Sequence, residues 1–498
     1  MELVDVEHRK VRRTLSGGRT LEMPFGPQHV WWLQEALAQE KQLNLAPLEK
    51  KIKTDVCVVG GGFTGLWAAI AIIEKDPSLS VVLIEKDECG FGASGRNGGW
   101  ATGWHDEIAE MISHFGESEA RRLIERSAWA LERIRSFSEE HAIESRFRQS
   151  GVLWASSALW QQGMWSAASR AWRSEGDNEA WRELSTGEVQ TRTGSPHLLN
   201  GAWQRDGATV QPALLVRGLR RAAVRLGVQI YEHTPLVTMS RTTPTKISTP
   251  TGEIETDTVI LATGAWAANW KELRRSFVPI ASHIVATEPI PKRLAELEWS
   301  NGVALGDGNQ MVHYAQVSAD GRIIFGRGGG SIGAFGRVSA NLFDNPRTVR
   351  EVAQDFRRWF PQFHDVALSH GWGGAVDRSP GHLPFVGRFD CDAKILFGAG
   401  YSGNGVGPSA YIGRILGHAA LGIRDEDTTG GMAQGVPAFF PHEPIRSLGG
   451  TVLREAIRWS EGGATPGTNS VAAHQLLARA VKIRVPTIRK PTTAVFTN

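Results

Sequence analysis

Asp55-Val56-Cys57-Val58-Val59 runs into Gly60-Gly61-Gly62-Phe63-Thr64-Gly65, continues through Leu66, Ala69, Ile70 and Ile73, and closes on Val81-Val82-Leu83-Ile84-Glu85. The first apolar run predicts a buried strand, the spacing of Leu66, Ala69, Ile70 and Ile73 predicts a helix, and the second apolar run predicts another strand. Strand, glycines, helix and strand ending on an acid form a dinucleotide-binding fingerprint. Gly60 permits the tight turn, Gly62 lets a pyrophosphate approach the backbone, and Gly65 lets the helix pack closely on the strand. The phosphates are expected on the helix N-terminus, whose free N–H groups and positive dipole end favour anions. Glu85 is placed to accept hydrogen bonds from an adenosine ribose. A glycine triplet alone also occurs in ordinary turns; the ordered context carries the reading.

At 498 residues the chain is long enough for two domains, and 41% hydrophobic with 21% charged residues is an ordinary globular composition. A net charge of +3, without a block of lysines and arginines, argues against nucleic-acid binding. The basic tail at Lys482, Arg484, Arg489 and Lys490 is interrupted by Pro486 and Pro491 and reads as a solvated arm or crossover strand. Cys57, Cys89 and Cys391 are widely spaced, which argues against a disulfide framework or zinc site; no metal is expected. Met1 to Thr20 lacks the apolar core of a signal peptide, and no apolar run reaches the roughly 18 residues needed to span a bilayer. A cytoplasmic location is expected.

Farther along, Gly90 to Gly99 is too glycine-rich for a helix or strand interior, and Asp106 to Glu139 carries helical apolar spacing. Strand character from Arg146 to Ser156 is followed by a helical stretch from Leu159 to Trp172. Leu214 to Leu226 reads as a helix, Val228 to Glu232 as a strand, and Val259 to Gly264 as an apolar strand ending in Ala262-Thr263-Gly264. The sequence turns β-rich over Val278 to Glu288 and Met311 to Phe325, then helical over Asn345 to Phe360. Ile395 to Gly400 and the helix Gly407 to Leu421 return to the first domain. Two interleaved domains are therefore expected: a nucleotide-binding domain from residues 51–105, 200–275 and 378–424, and a β-sheet substrate domain from 106–199 and 276–377. Residues 1–50 form an N-terminal arm and 425–498 a C-terminal extension. The active site is expected in the cleft between domains.

The fingerprint with Glu85, Gly92-Ala93-Ser94-Gly95-Arg96-Asn97-Gly98-Gly99, Ala262-Thr263-Gly264 and Gly400-Tyr401-Ser402-Gly403-Asn404-Gly405-Val406 occur in the order found in the D-amino-acid oxidase and sarcosine oxidase superfamily of FAD enzymes, which the chain resembles from about Pro27 to Trp459. Trp372 to Ser379, the Tyr401 motif and Phe440 to Arg446 further resemble a bacterial branch with γ-glutamylputrescine oxidase-like proteins and aminophosphonate oxidoreductases. The resemblance implies a Rossmann-like α/β FAD-binding domain interleaved with an α+β substrate domain. It places the cofactor against Gly60, Gly62, Phe63, Thr64 and Gly65, with Glu85 toward the adenosine and Lys86 and Val237 also at the cofactor. Gly92, Ala93, Ser94, Arg96, Asn97, Gly98 and Gly99 pass beside the ribityl chain and ring, with Ala262, Thr263 and Gly264 also at the cofactor. Gly400, Gly403, Asn404, Gly405 and Val406 supply backbone donors where negative charge develops on reduction. A nicotinamide enzyme needs none of this late glycine motif, which favours FAD over NAD.

Relatives with a covalent flavin carry His in the glycine loop, where this chain has Arg96, or Cys near Met311 to Gln316, where it has none; a non-covalent FAD is expected. The resemblance also sets the substrate beneath His313, Tyr314 and Gln316 and beside Trp372 and Tyr401. Amino-acid oxidases place an arginine near Gln316 for the substrate carboxylate, a bidentate role that glutamine cannot fill. The expected reaction is oxidation of the C–N bond of a primary or secondary amine to an imine that water hydrolyses. Alternatives are an aminophosphonate or N-substituted amino acid as substrate, a dehydrogenase serving an electron carrier instead of oxygen, and a flavin-binding protein without turnover. Arg322 to Arg327 has no lysine of the kind that helps some relatives react with oxygen. Arg96, Arg327 and Arg378 are candidates for an anionic substrate group, Asp377, Trp100 and Trp372 for a cationic one; Asp377-Arg378 also reads as an internal ion pair. His105, on a loop, is a further candidate for the cleft.

Overall fold

The computed structural model describes residues 24, 26, 28–40, 45–174 and 179–462. The basic tail, most of the first part of the N-terminal arm and the last part of the C-terminal extension lie outside the described residues.

The fingerprint builds the centre of an 8-stranded sheet. Its main path runs Phe385–Arg388, Lys394–Ala399, Glu253–Leu261, Lys51–Val59, Val81–Ile84 and Gln229–Tyr231. All but the first pair are parallel. Parallel strands are covered on both faces, which is why Val56 to Val59, Val81 to Ile84 and Val259 to Leu261 are continuous apolar runs. The helices Phe63–Lys75 and Pro408–Ala420 pack directly on one another. Small residues allow it: a Cβ on Gly413 would stand 2.4 Å from the Cβ of Trp67. Since both helices follow parallel strands of one sheet, their N-termini open at the same edge, the usual ligand position in such sheets.

The second 8-stranded sheet runs Leu368–Arg378, Val278–Thr287, Ile323–Arg327, His313–Val317, Ala304–Gly306, Val152–Ala155, Gly201–Gln204 and Trp181–Leu184. Gly201–Gln204 thus belongs to this sheet, just past the expected domain junction at residue 200. A two-stranded antiparallel ribbon, Trp100–Thr102 with Gly207–Thr209, leads out of the glycine loop. The helix expected from Asp106 to Glu139 is two helices, Ile108–Phe115 and Glu117–Glu140. Gly116 breaks it with φ +81°, a left-handed backbone that apolar periodicity does not reveal. No helix among the described residues is long and apolar enough to cross a membrane, and among them no group of three His, Cys, Asp or Glu is arranged to hold a metal.

Candidate functional site

Three segments distant in sequence meet at the sheet edge. In the first, intrahelical bonding begins with Leu66 N–H donating to Gly62 O at 3.1 Å, leaving the first turn of Phe63–Lys75 turned toward the edge. Phe63 N–H donates to Ser94 Oγ at 2.9 Å and Gly90 N–H to Gly61 O at 3.0 Å, so the second segment, Gly90 to Gly99, is laced onto the fingerprint. The third segment arrives when the Tyr401 and Thr64 hydroxyls hydrogen-bond at 2.6 Å. Thr102 Oγ1 donates to Asn404 Oδ1 at 3.1 Å, and Asn404 Nδ2 to Gly103 O at 3.0 Å, joining the second and third segments.

Glu85 ends its strand beneath the fingerprint and accepts N–H bonds from Gly61 at 2.7 Å and Asp87 at 3.0 Å. Burial pushes its carboxyl above the ordinary value, and these two donors oppose that rise. Lys86 pairs with Asp87 and places its ammonium 4.8 Å from the centre of the Trp266 ring. Trp266 stacks on Phe343, and Phe343 in turn lies 5.2 Å from the Arg96 guanidinium, whose other face meets Phe91 at 4.7 Å. Arg96 is buried, donates from Nε to Phe91 O at 2.8 Å and Gly92 O at 3.3 Å, and keeps Nη2 without a hydrogen-bond partner. Burial pushes its pKa down to about 10.

The geometry suits FAD. A Cβ on Gly62 would come within 2.9 Å of Ser94 Oγ, so the side of the helix mouth facing the glycine loop closes if that position is filled. At Gly264 and Gly403 such an atom would meet nothing within 4 Å, which leaves open space beside Thr263, whose buried hydroxyl has no hydrogen-bond partner. The two helices whose N-termini open at this sheet edge are of the kind that receives anionic or partly anionic groups. Val237 is 59% exposed, and its N–H donates to Ser248 O at 2.9 Å in the sheet margin.

The expected substrate-facing residues divide. On His313–Val317, Tyr314 and Gln316 face the glycine loop: a Cβ on Gly98 would strike Tyr314 at 2.6 Å, and one on Gly99 would strike Gln316 at 2.0 Å. Tyr314 is partly exposed, hydrogen-bonds Ser282 Oγ at 2.7 Å and stands edge-on to Trp100 with ring centres 6.2 Å apart. Burial pushes its phenol up to about 12. The Gln316 amide nitrogen donates to Gly98 O at 2.6 Å and Val210 O at 3.1 Å. His313 must point to the opposite face, since successive strand residues alternate. It is buried among Phe325 and Trp359, between Asp307 at 2.9 Å and Asp355 at 3.2 Å. Trp372 is fully buried, packs against Trp32, Ile284 and Ile324, and donates to Arg96 O at 2.9 Å; it forms no wall of a substrate cleft. His105 is buried with its ring 5.1 Å from that of Trp172 and 3.8 Å from an Asp206 oxygen.

Asp377 and Arg378 do not pair with one another. Asp377 accepts Gly400 N–H at 2.6 Å, steadying the late glycine motif, and burial pushes its carboxyl up to about 6. Arg378 bridges Tyr401 through the backbone and donates to His382 Nε2 at 2.9 Å. Arg327 is committed to Asp355 at 2.6 Å and Glu351 at 3.0 Å. The sequence reading also missed the N-terminal helix Trp31–Gln39. Trp32 Nε1 donates to Asn97 O at 3.0 Å and Gln211 Nε2 to Trp32 O at 2.9 Å, while a Cβ on Gly95 would press to 2.8 Å on Leu33. The adjacent tryptophans Trp31 and Trp32 ahead of Leu33 were the available signal.

Residues 55–419 match the family described as FAD dependent oxidoreductase. The chain is 28% identical over 423 residues to gamma-glutamylputrescine oxidoreductase of Escherichia coli, covering 84% of this chain and 93% of that one. It is 29% identical over 394 residues to a Haemophilus influenzae protein named "Probable oxidoreductase OrdL", covering 77% and 87%. Its fold resembles that of glycine oxidase from Geobacillus kaustophilus, with a TM-score of 0.62 at 19% identity over 75% of this chain and 96% of the other. With the family match spanning fingerprint, loop and late helix, the chain belongs to the FAD-dependent oxidoreductases.

Proposed function

We propose that this chain oxidises the C–N bond of a primary or secondary amine bearing an anionic group some distance from the nitrogen, the imine product being hydrolysed by water. The observation that carries the reading is the division of charge around Tyr314 and Tyr401. Gln316 offers no guanidinium for the carboxylate of a simple α-amino acid, and its amide nitrogen is spent on backbone carbonyls. Arg378, beside Tyr401, has a histidine as its hydrogen-bond partner, and burial lowers its own pKa. A guanidinium so placed can take a carboxylate or phosphonate bidentately. The likeness to gamma-glutamylputrescine oxidoreductase supports an amine of this class.

The bound FAD, held without a covalent link, supplies the electron acceptor for the C–H bond. The chain's residues bind and align: Gly62 and the first turn of Phe63–Lys75 receive the pyrophosphate, Glu85 the ribose, and the N-terminus of Pro408–Ala420 the ring edge. Trp100 and Tyr314 flank the amine, their ring faces favouring a cation, and Arg378 holds the distal anion. Anaerobic mixing with γ-glutamyl diamines, N-methyl amines, aminophosphonates and α-amino acids should bleach the flavin absorbance with at least one of the first three. Bleaching by α-amino acids alone would defeat the proposal. Peroxide formed stoichiometrically on readmitting air identifies oxygen as the acceptor; its absence points to a carrier.

Arg378→Met should raise KM for an anionic amine at least tenfold, about 1.4 kcal/mol, and leave an uncharged amine of the same length little changed. Equal losses for both substrates would remove Arg378 from substrate binding.

A further inference from the structure

On the face of the second sheet that meets the glycine loop, one register row reads Tyr314, Gly306, Trp154. Directly paired residues of neighbouring strands share a face. The intervening row, Ala315, Leu305 and Leu153, turns the other way into a hydrophobic core. Gly306 is the gap in the aromatic row, and Trp100 covers it: a Cβ there would stand 2.5 Å from Trp100 Cη2 and 3.3 Å from Trp154 Cζ3. Trp100 lies edge-on to both neighbours, its ring centre 6.2 Å from that of Tyr314 and 5.6 Å from that of Trp154. The three rings form one strip, and each keeps part of its surface exposed. Both indole N–H groups are spent on the protein, Trp100 Nε1 donating to Ala315 O at 3.2 Å and Trp154 Nε1 to Gln204 Oε1 at 3.1 Å. What the two indoles offer a ligand is therefore carbon. The strip ends where Trp154 packs against the cluster of Ala180, Trp181 and Ala202.

The strip also has a direction. Leu368–Arg378 lies three strands to one side of His313–Val317 in the sheet, and Val152–Ala155 two strands to the other. An amine held at Tyr314 with its anionic group at Arg378 thus turns its remaining substituent toward Trp154. On the basis of the amine-oxidising reading of this same site, we propose that the strip is a second arm of the substrate cleft and receives a hydrocarbon group carried on the nitrogen. The substrate is then a secondary amine with its anion on one side and an apolar chain on the other, and Trp154 sets the chain length that is favoured. Two strand spacings separate Tyr314 from Trp154, roughly 10 Å, a span that a chain of several methylenes covers with its carbons on the rings. A terminal ammonium is the poorer occupant, because a charge taken out of water needs a partner. The first carboxylate along the row, Glu183, is exposed on the edge strand, two strands past Trp154.

The test titrates the oxidised, FAD-loaded protein with γ-(alkylthio)butyrates, thioethers in which sulfur replaces the reacting nitrogen so that no imine can form, and reads Kd from the shift of the flavin spectrum. From the methyl to the butyl compound, Kd should fall about fourfold per methylene, the transfer free energy of a buried CH2. Trp154→Ala should flatten the series. Trp154→Phe, which keeps a ring but not the bond to Gln204, should restore the slope, whereas a merely structural tryptophan would leave it flat in both variants. No binding or a flat series in the parent protein, a slope that survives in Trp154→Ala, or a flat series in Trp154→Phe each overturns the proposal. Tighter binding of a butyl chain ending in an ammonium than of the plain butyl compound would assign the strip to a cation instead. Since these ligands are not oxidised, the two readings fail separately: a steep thioether series with no amine bleaching the flavin sinks the oxidation reading, and bleaching with a flat series sinks the strip.

Discussion

Gly62→Val should purify as a folded, colourless protein, with FAD affinity reduced at least 100-fold, about 2.7 kcal/mol. The three fingerprint glycines separate cleanly in what they would lose. Gly60 has φ +114° and its added Cβ would lie 2.4 Å from Ala262 O; one on Gly65 would lie 1.9 Å from Gly60 O. Both collisions are with backbone and would damage the packing of helix on strand. Gly62 has φ −83° with ψ −175°, extended backbone that any residue adopts, and its Cβ meets only the Ser94 hydroxyl, at 2.9 Å. Valine there fills the approach of the pyrophosphate and presses on the Ser94 hydroxyl that accepts from Phe63 N–H, while the backbone of strand and helix stays in place. The apo forms of variant and parent should therefore melt within a few degrees of each other, while the visible flavin spectrum disappears. A full yellow complement in the purified variant would refute the cofactor site.

His313→Leu should lose about 3–5 kcal/mol of stability, the usual consequence of removing one member of a buried charged group. Asp307 and Asp355 would then face one another's surroundings without the imidazolium, Asp355 retaining Arg327 and Arg358 and Asp307 retaining Asn309 and Ser157. Burial alone would push the His313 pKa down; the Asp307 charge and the ring's hydrogen bonds to both aspartates push it up to about 9. Its folded value lies above the ordinary 6.5. Its stabilising contribution is therefore complete below pH 6.5 and drains away as pH rises through about 9. Melting temperature of the parent protein should fall over that window, and the fall should be much shallower in His313→Leu. Parallel curves would show that this histidine does not carry the alkaline sensitivity.

The fingerprint was legible because its logic is local: glycine spacing, one strand period and one helix period all lie within Asp55 to Glu85. The same holds for the glycine loop and the late helix, although nothing local says that Tyr401 reaches Thr64. The errors fall where meaning depends on a strand's facing or on distant partners. His313 and Tyr314 are neighbours in sequence and cannot share a face, and the face of His313 was decided by Asp355, far along the chain on the helix Pro346–Trp359. The bond from Gln316 to Gly98 could not be read before the loop was in place. Trp372 had the composition of a cleft wall and the environment of a core, because Trp32 from the N-terminal arm covers it. Asp377 and Arg378 alternate across their strand in the same way, which separates a pair that adjacency had joined.

The grip of Trp32 and Leu33 on the glycine loop also bears on how the protein is handled in the laboratory. A purification tag or fusion partner placed close to Trp31 would strain the helix whose indole holds Asn97, and through it the lining of the flavin pocket. Pale preparations of such a fusion would then report a displaced arm, curable by moving the tag to the other terminus, before they reported any fault in growth conditions or flavin supply.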